Sequence, residues 1–403
     1  MQSSFPVSGS APYSFLALPD ASEASAPSIW RSERGASPPK RVVFADDTTT
    51  ADTAYRLACE GTALLWRGDF QNARQMLQAL ARRADKPGKK PKPHAVHSPS
   101  EAFHLHRQAQ AQRARVLGMV LIPFDADYGI ALRRAPDARL ACAEAWGPAD
   151  AAGGPSVASL RDLLGLISAH EWRKKGVEIA SLGAPPNNRI HPHYGVFSPV
   201  RGEYVGLVAV APLPALADAH TSFRAFDIGT GTGVLSALLA RRGVSTVVAT
   251  DQDPRALACA QENLARLGVA NQVQLLKTDL FPEGQANLIV CNPPWLPARA
   301  SSPIEHAVYD EDSRMLLGFL NGLAAHLAAG GEGWLIMSDL AEHLGLRPPD
   351  MLAQAIDAAG LQVLGRFDAR PVHPKASDAT DPLHAARSLE VTSLWRLAAK
   401  AAN

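Results

Sequence analysis

The run Phe223-Arg224-Ala225-Phe226-Asp227-Ile228-Gly229-Thr230-Gly231-Thr232-Gly233 decides how the chain is read. A short apolar strand feeds a loop with glycine at every second position, and an apolar helix from Val234 to Ala240 follows. A β-prone run from Ser245 to Thr250 ends in Asp251, and a helix is expected from Pro254 to Leu267. The next strand ends at Thr278-Asp279-Leu280-Phe281, and Leu288-Ile289-Val290-Cys291 stops at Asn292-Pro293-Pro294-Trp295. Strand and helix periods that alternate in this way predict a parallel, doubly wound α/β sheet.

A glycine loop between strand and helix, with an acid about 20 residues on at the next strand end, suits a ribose-bearing ligand. Gly229 and Asp251 have that spacing. Glycine removes the Cβ atoms that would hold a ligand away from the backbone, and the Asp251 carboxylate can accept from both ribose hydroxyls. A dinucleotide site would favour G-x-G-x-x-G under a pyrophosphate, whereas the glycines here stand at 229, 231 and 233. The tetrapeptide at 292–295 separates the two. Its prolines hold an extended backbone without N–H donors, so the Asn292 amide oxygen and the Pro293 carbonyl can face a substrate. Two such acceptors side by side clamp an NH2 group. As an ordinary element, the tetrapeptide would be a plain strand-ending turn.

Asp227-Ile228-Gly229-Thr230-Gly231-Thr232-Gly233, Asp251, Thr278-Asp279-Leu280-Phe281 and Asn292-Pro293-Pro294-Trp295 together resemble the motifs of a class I S-adenosylmethionine-dependent methyltransferase. The N-P-P-aromatic signature is similar to the methyltransferase small domain group, which includes release-factor glutamine methyltransferases and RNA-base amino-group methyltransferases. The resemblance covers about residues 190–400. Trp295 stands where that group usually has tyrosine or phenylalanine, and Gly202 interrupts the upstream segment Val196-Phe197-Ser198-Pro199-Val200-Arg201-Gly202-Glu203. The resemblance implies S-adenosylmethionine as cofactor, held by Asp227, Gly229, Thr230, Gly231, Gly233, Asp251, Asp279 and Phe281. It also implies that Asn292, Pro293, Pro294 and Trp295 form the catalytic clamp, with Pro199 and Arg201 near the substrate. Asp279 would accept the adenine amino hydrogens and Phe281 would pack on the ring; equally, Phe281 is a core phenylalanine.

The 403 residues leave room for two domains. Residues 1–50, rich in Ser, Ala and Pro, are expected to form a flexible extension with a short strand at Arg41 to Phe44. Residues 51–185 are expected to form a mainly helical or α+β accessory domain, with a helical hairpin over 50–83. Residues 190–403 are expected to form the Rossmann-like, seven-stranded methyltransferase domain, its last strand antiparallel over Leu389 to Leu397. Tyr204 to Val210 reads as a strand leading into it.

With 40 Lys and Arg against 39 Asp and Glu, no global basic excess marks a nucleic-acid binder. Lys86-Pro87-Gly88-Lys89-Lys90-Pro91-Lys92-Pro93 is a local exception, either a phosphate contact or a solvated linker. No apolar run suits a membrane span, and no leader is evident. The four cysteines lack metal-ligand spacing, so no metal is expected and the cytoplasm is the expected compartment. The expected reaction is methylation of a planar NH2 group on a macromolecule, with a protein glutamine side chain slightly ahead of an RNA or DNA base amino group. A non-catalytic cofactor-binding module and a nicotinamide-dependent dehydrogenase are the readings from other classes.

Overall fold

The computed structural model describes residues 14–17, 28–86, 98–149, 154–215, 222–300, 303–372 and 378–401. The described residues of Pro6–His97 and His104–Glu171 form one compact unit, and those of Ser98–Phe103 and Trp172–Asn403 form another.

In the first unit, strands β1 (Ser14–Leu16), β2 (Ser28–Arg31), β3 (Arg41–Ala45), β4 (Thr62–Trp66), β5 (Val120–Phe124) and β6 (Ser156–Ser159) form one mixed sheet. Its order is β1-β2-β6-β5-β4-β3. Helices α1 (Ala51–Cys59), α2 (Phe70–Ala84), α3 (Pro99–Leu117), α4 (Arg139–Trp146) and α5 (Leu160–Lys175) connect the strands. This half carries both helices and a sheet, and its strands β3, β4 and β5 pair in parallel with helices between them. The hairpin expected over 50–83 is a helix, a strand and a helix. All five residues of Thr62–Trp66 are buried, as in a central strand covered on both faces, and such a run lacks the alternation that tells strand from helix. The segment before residue 50 also differs from expectation. Ile29, Trp30 and Arg31 pair in parallel with Ser156, Val157 and Ala158, a partner about 127 residues away that local composition does not reveal. The basic stretch around Lys89 lies outside the described residues.

Asp69 organises the loop between β4 and α2. It caps the helix through Gln71 N–H (2.8 Å) and accepts from Arg133 Nε (2.8 Å) and Arg134 Nε (2.7 Å). The Arg134 hydrogen bond, with the Gln71 amide and both arginine charges, holds its carboxyl down at about 2 from 3.8. A depressed carboxylate stabilises the fold above its unfolded value, and that contribution is lost as pH falls through about 2. Asp69→Ala is therefore expected to lower the melting midpoint at neutral pH by about 5 °C. The deficit relative to the wild type should shrink when the same scan is run towards pH 2, as calorimetry can show.

The second unit begins with the hairpin β7 (Val177–Glu178) and β8 (Arg189–Ile190), followed by α6 (Glu203–Val210). The strand expected over Tyr204 to Val210 is this helix. Tyr204, Val205, Leu207 and Val208 are buried at the spacing of one helical face, which outweighs the strand preference of its valines. Then come β9 (Arg224–Ile228), α7 (Val234–Arg241), β10 (Thr246–Asp251), α8 (Pro254–Arg266), β11 (Val273–Lys277) and β12 (Ala286–Cys291). The remainder is α9 (Arg314–His326), β13 (Leu327–Ser338), α10 (Leu340–His343), α11 (Met351–Ala358), β14 (Leu361–Ala369), α12 (His384–Arg387) and β15 (Thr392–Ala399). The seven strands lie in the order β11-β10-β9-β12-β13-β15-β14. The strands from β11 to β13 are parallel, and β15 is antiparallel to both neighbours, as expected. Helices cover both faces, and the inner strands β9, β10 and β12 read as near-continuous apolar runs because neither of their faces meets water, whereas the edge strands β11 and β14 are partly exposed.

Chain order reverses between β9 and β12, which makes that seam the switch point of the sheet. Open α/β sheets bind ligands in the crevice beyond such a seam. Among the described residues no helix is long and apolar enough to cross a membrane.

Candidate functional site

Register brings the sequence motifs to one level of this edge. Ile228 pairs with Thr250 on one side and with Cys291 on the other. The next residues are Gly229, Asp251 and Asn292, so loop, acid and tetrapeptide stand side by side at the carboxyl ends of three adjacent strands.

The loop is held from beneath. Gly229 N–H and Thr230 N–H both donate to the Thr250 carbonyl at 2.9 Å. Asp227 is buried, and its Oδ2 accepts from Thr230 Oγ1 (2.7 Å), Ser236 N–H (3.0 Å) and Ser236 Oγ (2.5 Å). Burial pushes its carboxyl above the usual range, against the pull of those donors. Asp227 thus orders the loop from the protein side. Asp251 Oδ2 accepts Gly231 N–H at 3.0 Å and Oδ1 accepts Asp253 N–H at 3.0 Å, while burial pushes its carboxyl up.

The glycines differ in what they admit. All three have positive φ, which L side chains rarely adopt. A Cβ on Gly229 would lie 2.6 Å from Met315 Cε, and one on Gly233 would lie 3.1 Å from Ala260 Cβ. A Cβ on Gly231 meets nothing within 4 Å, so this position faces open space beside Asp251. Gly231→Ala is expected to combine backbone strain of about 1 kcal/mol with a methyl group in that space. Titration calorimetry should show cofactor affinity falling by about tenfold or more, with only a small loss of stability.

On the other side of the seam, Trp295 Nε1 donates to Asn292 Oδ1 at 3.0 Å. An indole N–H cannot accept, so this bond fixes the amide with its oxygen towards the indole, and a carbonyl oxygen keeps a second lone pair for another donor. Pro293 is buried, and Pro294 and Trp295 are half-buried. Trp295 packs on the apolar clusters of both sheet faces, and its carbonyl accepts from the buried Arg347 Nη2 at 2.9 Å. Beyond it, Leu296 and Tyr309 form a bridge, and the Asp310 carboxylate receives Met315 N–H and Leu316 N–H at the start of α9.

Three other expected residues have structural partners, and a fourth, Pro199, is buried. Asp279 is exposed and pairs with Arg314. The Phe281 ring stacks on His326 at 4.3 Å and on Phe319 at 5.8 Å between centroids. Gly318 and Gly322, one turn apart on α9, leave slots for Leu280 and Phe281, where added Cβ atoms would come within 2.7 and 2.5 Å. Through these contacts Phe281 sits half-buried against α9. That glycine spacing was the available signal. Pro199 is buried, and Arg201 meets the buried Glu390 through both nitrogens, at 3.2 and 3.3 Å. Ser338 Oγ also donates to Glu390, so Arg201 joins the upstream segment to the end of β13.

No group of three or more His, Cys, Asp or Glu among the described residues has the arrangement of a metal site. Cys142, Cys259 and Cys291 are buried free thiols; burial pushes Cys142 and Cys259 up to about 12 and Cys291 well above its ordinary value.

Comparison with known proteins matches residues 187–348 to the methyltransferase small domain. A release factor glutamine methyltransferase from Cereibacter sphaeroides is 34% identical over 162 residues, 36% of this chain and 55% of the relative. A putative protein N5-glutamine methyltransferase from Methanocaldococcus jannaschii is 33% identical over 122 residues, 28% of this chain and 61% of the relative. A tRNA1(Val) (adenine(37)-N6)-methyltransferase from Parabacteroides distasonis is 39% identical over 88 residues, 21% of this chain and 37% of the relative. The chain spans about half the length of the curated relatives it matches. Residues 187–348 are thus similar to the methyltransferase small domain, and the relatives that share this likeness are methyltransferases by name.

Proposed function

We propose that the chain is an S-adenosylmethionine-dependent N-methyltransferase acting on a planar NH2 group of a macromolecule. The observation that carries the reading is the register of β10, β9 and β12, which sets Asp251, Gly231 and Asn292 around one crevice. The residues fit the cofactor: an open cradle at Gly231 lies beside a carboxylate with the acceptor capacity two ribose hydroxyls need. When bound, the cofactor supplies an activated methyl group on sulfur.

The chain's own residues supply position and charge. An amide or aryl amine is a poor nucleophile because its lone pair is delocalised. The free lone pair of Asn292 Oδ1 and the Pro293 carbonyl accept the two N–H hydrogens. They thereby favour a pyramidal nitrogen and stabilise positive charge as it develops. Trp295 holds the Asn292 oxygen and offers its ring to the planar group. The proton leaves after transfer, so the reaction needs no strongly shifted general base.

Between acceptors we favour a protein glutamine side chain. Support comes from the near-neutral charge and from two relatives with glutamine methyltransferase in their names. The tRNA-modifying relative favours a base amino group as the second reading. The test is radiolabelled methyl transfer into a lysate of cells lacking this protein. Protease-sensitive label is expected; nuclease-sensitive label would move the acceptor to a base, and unlabelled macromolecules would overturn both readings.

Trp295→Phe keeps a ring and removes the N–H. It is expected to lower kcat by about tenfold, the cost of one lost hydrogen bond, with cofactor affinity within twofold. Single-turnover transfer paired with calorimetry checks it.

A further inference from the structure

We infer that Asn263, on α8, is a positioning residue that ties the cofactor loop to the segment running from His191 to Tyr194. The inference rests on reading Gly229–Gly233 as the cofactor loop. Asn263 is fully buried, and its amide spends both ends on backbone groups of two distant segments. Oδ1 accepts His191 N–H at 2.8 Å, while Nδ2 donates to the Thr232 carbonyl at 3.1 Å and to the His191 carbonyl at 3.3 Å. Thr232 lies between Gly231 and Gly233, so one side chain spans from the open part of the loop to the chain upstream of the sheet.

The neighbours continue this attachment. One turn earlier on α8, Cys259 Sγ accepts His193 N–H at 3.3 Å, and Glu262 meets both His193 Nε2 (3.1 Å) and Arg173 Nη2 (2.8 Å). At the start of the helix, Arg255 Nη1 reaches the Tyr194 carbonyl at 3.3 Å, four residues beyond Asp251. The segment thus runs along α8 from behind the loop to Arg255 in the first turn of the helix. The amide of Asn263 touches segment and loop together. No apolar residue can serve both, because His191 N–H and the Thr232 carbonyl would lose the bonds Asn263 gives them and the His191 carbonyl would keep only the weaker Cys259 thiol.

The test compares the full-length wild type with Asn263→Leu, Asn263→Asp and Leu264→Ala, titrated with S-adenosylhomocysteine and melted in parallel. Asn263→Asp keeps the acceptor facing His191 N–H and gives up both donors; Leu264→Ala empties a buried apolar site on the same helix. Both Asn263 variants are expected to lose affinity by about tenfold or more. Leu264→Ala should melt earlier and bind within twofold of wild type. If Asn263→Leu fails to fold, Asn263→Asp decides. Wild-type affinity in a folded Asn263 variant would overturn the inference, as would a loss no larger than that of an equally destabilised Leu264→Ala. A wild type that itself fails to bind S-adenosylhomocysteine would overturn the cofactor reading instead.

Discussion

Asn292→Ala is expected to reduce methyl transfer by about 10²- to 10³-fold or more while leaving cofactor affinity within about twofold. The estimate follows from what the side chain does. Removing one pre-oriented group that stabilises developing charge typically costs a factor of that size. In addition, the Trp295 indole N–H loses its acceptor. Cofactor binding should persist because Asn292 follows β12, while the loop and its clamps are carried by β9, β10 and α7. Single-turnover transfer with calorimetry on the same preparation separates the two effects. A variant that kept wild-type transfer would remove the amide clamp from the mechanism.

The second large effect lies on the cofactor side. Asp251→Ala is expected to weaken S-adenosylmethionine binding by about 10²-fold, because it removes an ionised acceptor for ribose and the partner of Gly231 N–H together. The pH dependence gives this prediction a sign. Only the ionised carboxylate can accept from both hydroxyls, and burial raises the pKa of Asp251. Wild-type affinity should therefore hold at neutral pH and decline as pH falls through that raised value, earlier than an ordinary aspartate would allow. Asp227 shares the upward shift, so the comparison with Asp251→Ala isolates the relevant carboxylate: the variant should lack the part of the decline that Asp251 causes. Titration calorimetry across the acid limb of both proteins checks this.

The parts of the site that could be read from the sequence share a physical property. Their chemistry is local: glycines that must take positive φ, an acid at a strand end, prolines that silence backbone donors. Each stands at the end of a strand legible from its apolar run, and the structure brings those ends to one level by pairing Ile228 with Cys291. Residues defined by distant partners were not legible in this way. Asn263 looks like any polar residue in a helix until the chain from His191 folds onto it, 72 residues away in sequence. For Phe281 the sequence leaves an adenine contact and a core position equally open, because the partners of its ring, Phe319, Gly322 and His326, lie on α9 about 40 residues on. In the N-terminal unit, Thr62–Trp66 and Ser28–Arg31 became strands through parallel pairing, whose partners are never adjacent in the chain.

The account turns on a clamp shaped for NH2, so the decisive measurement is where the methyl group lands. Transfer from isotopically labelled S-adenosylmethionine, followed by mass-spectrometric sequencing of the labelled product, should place the methyl on a nitrogen that began as NH2, as in a glutamine side chain. Label on an oxygen, a carbon or a ring nitrogen would contradict the clamp formed by Asn292 and Pro293.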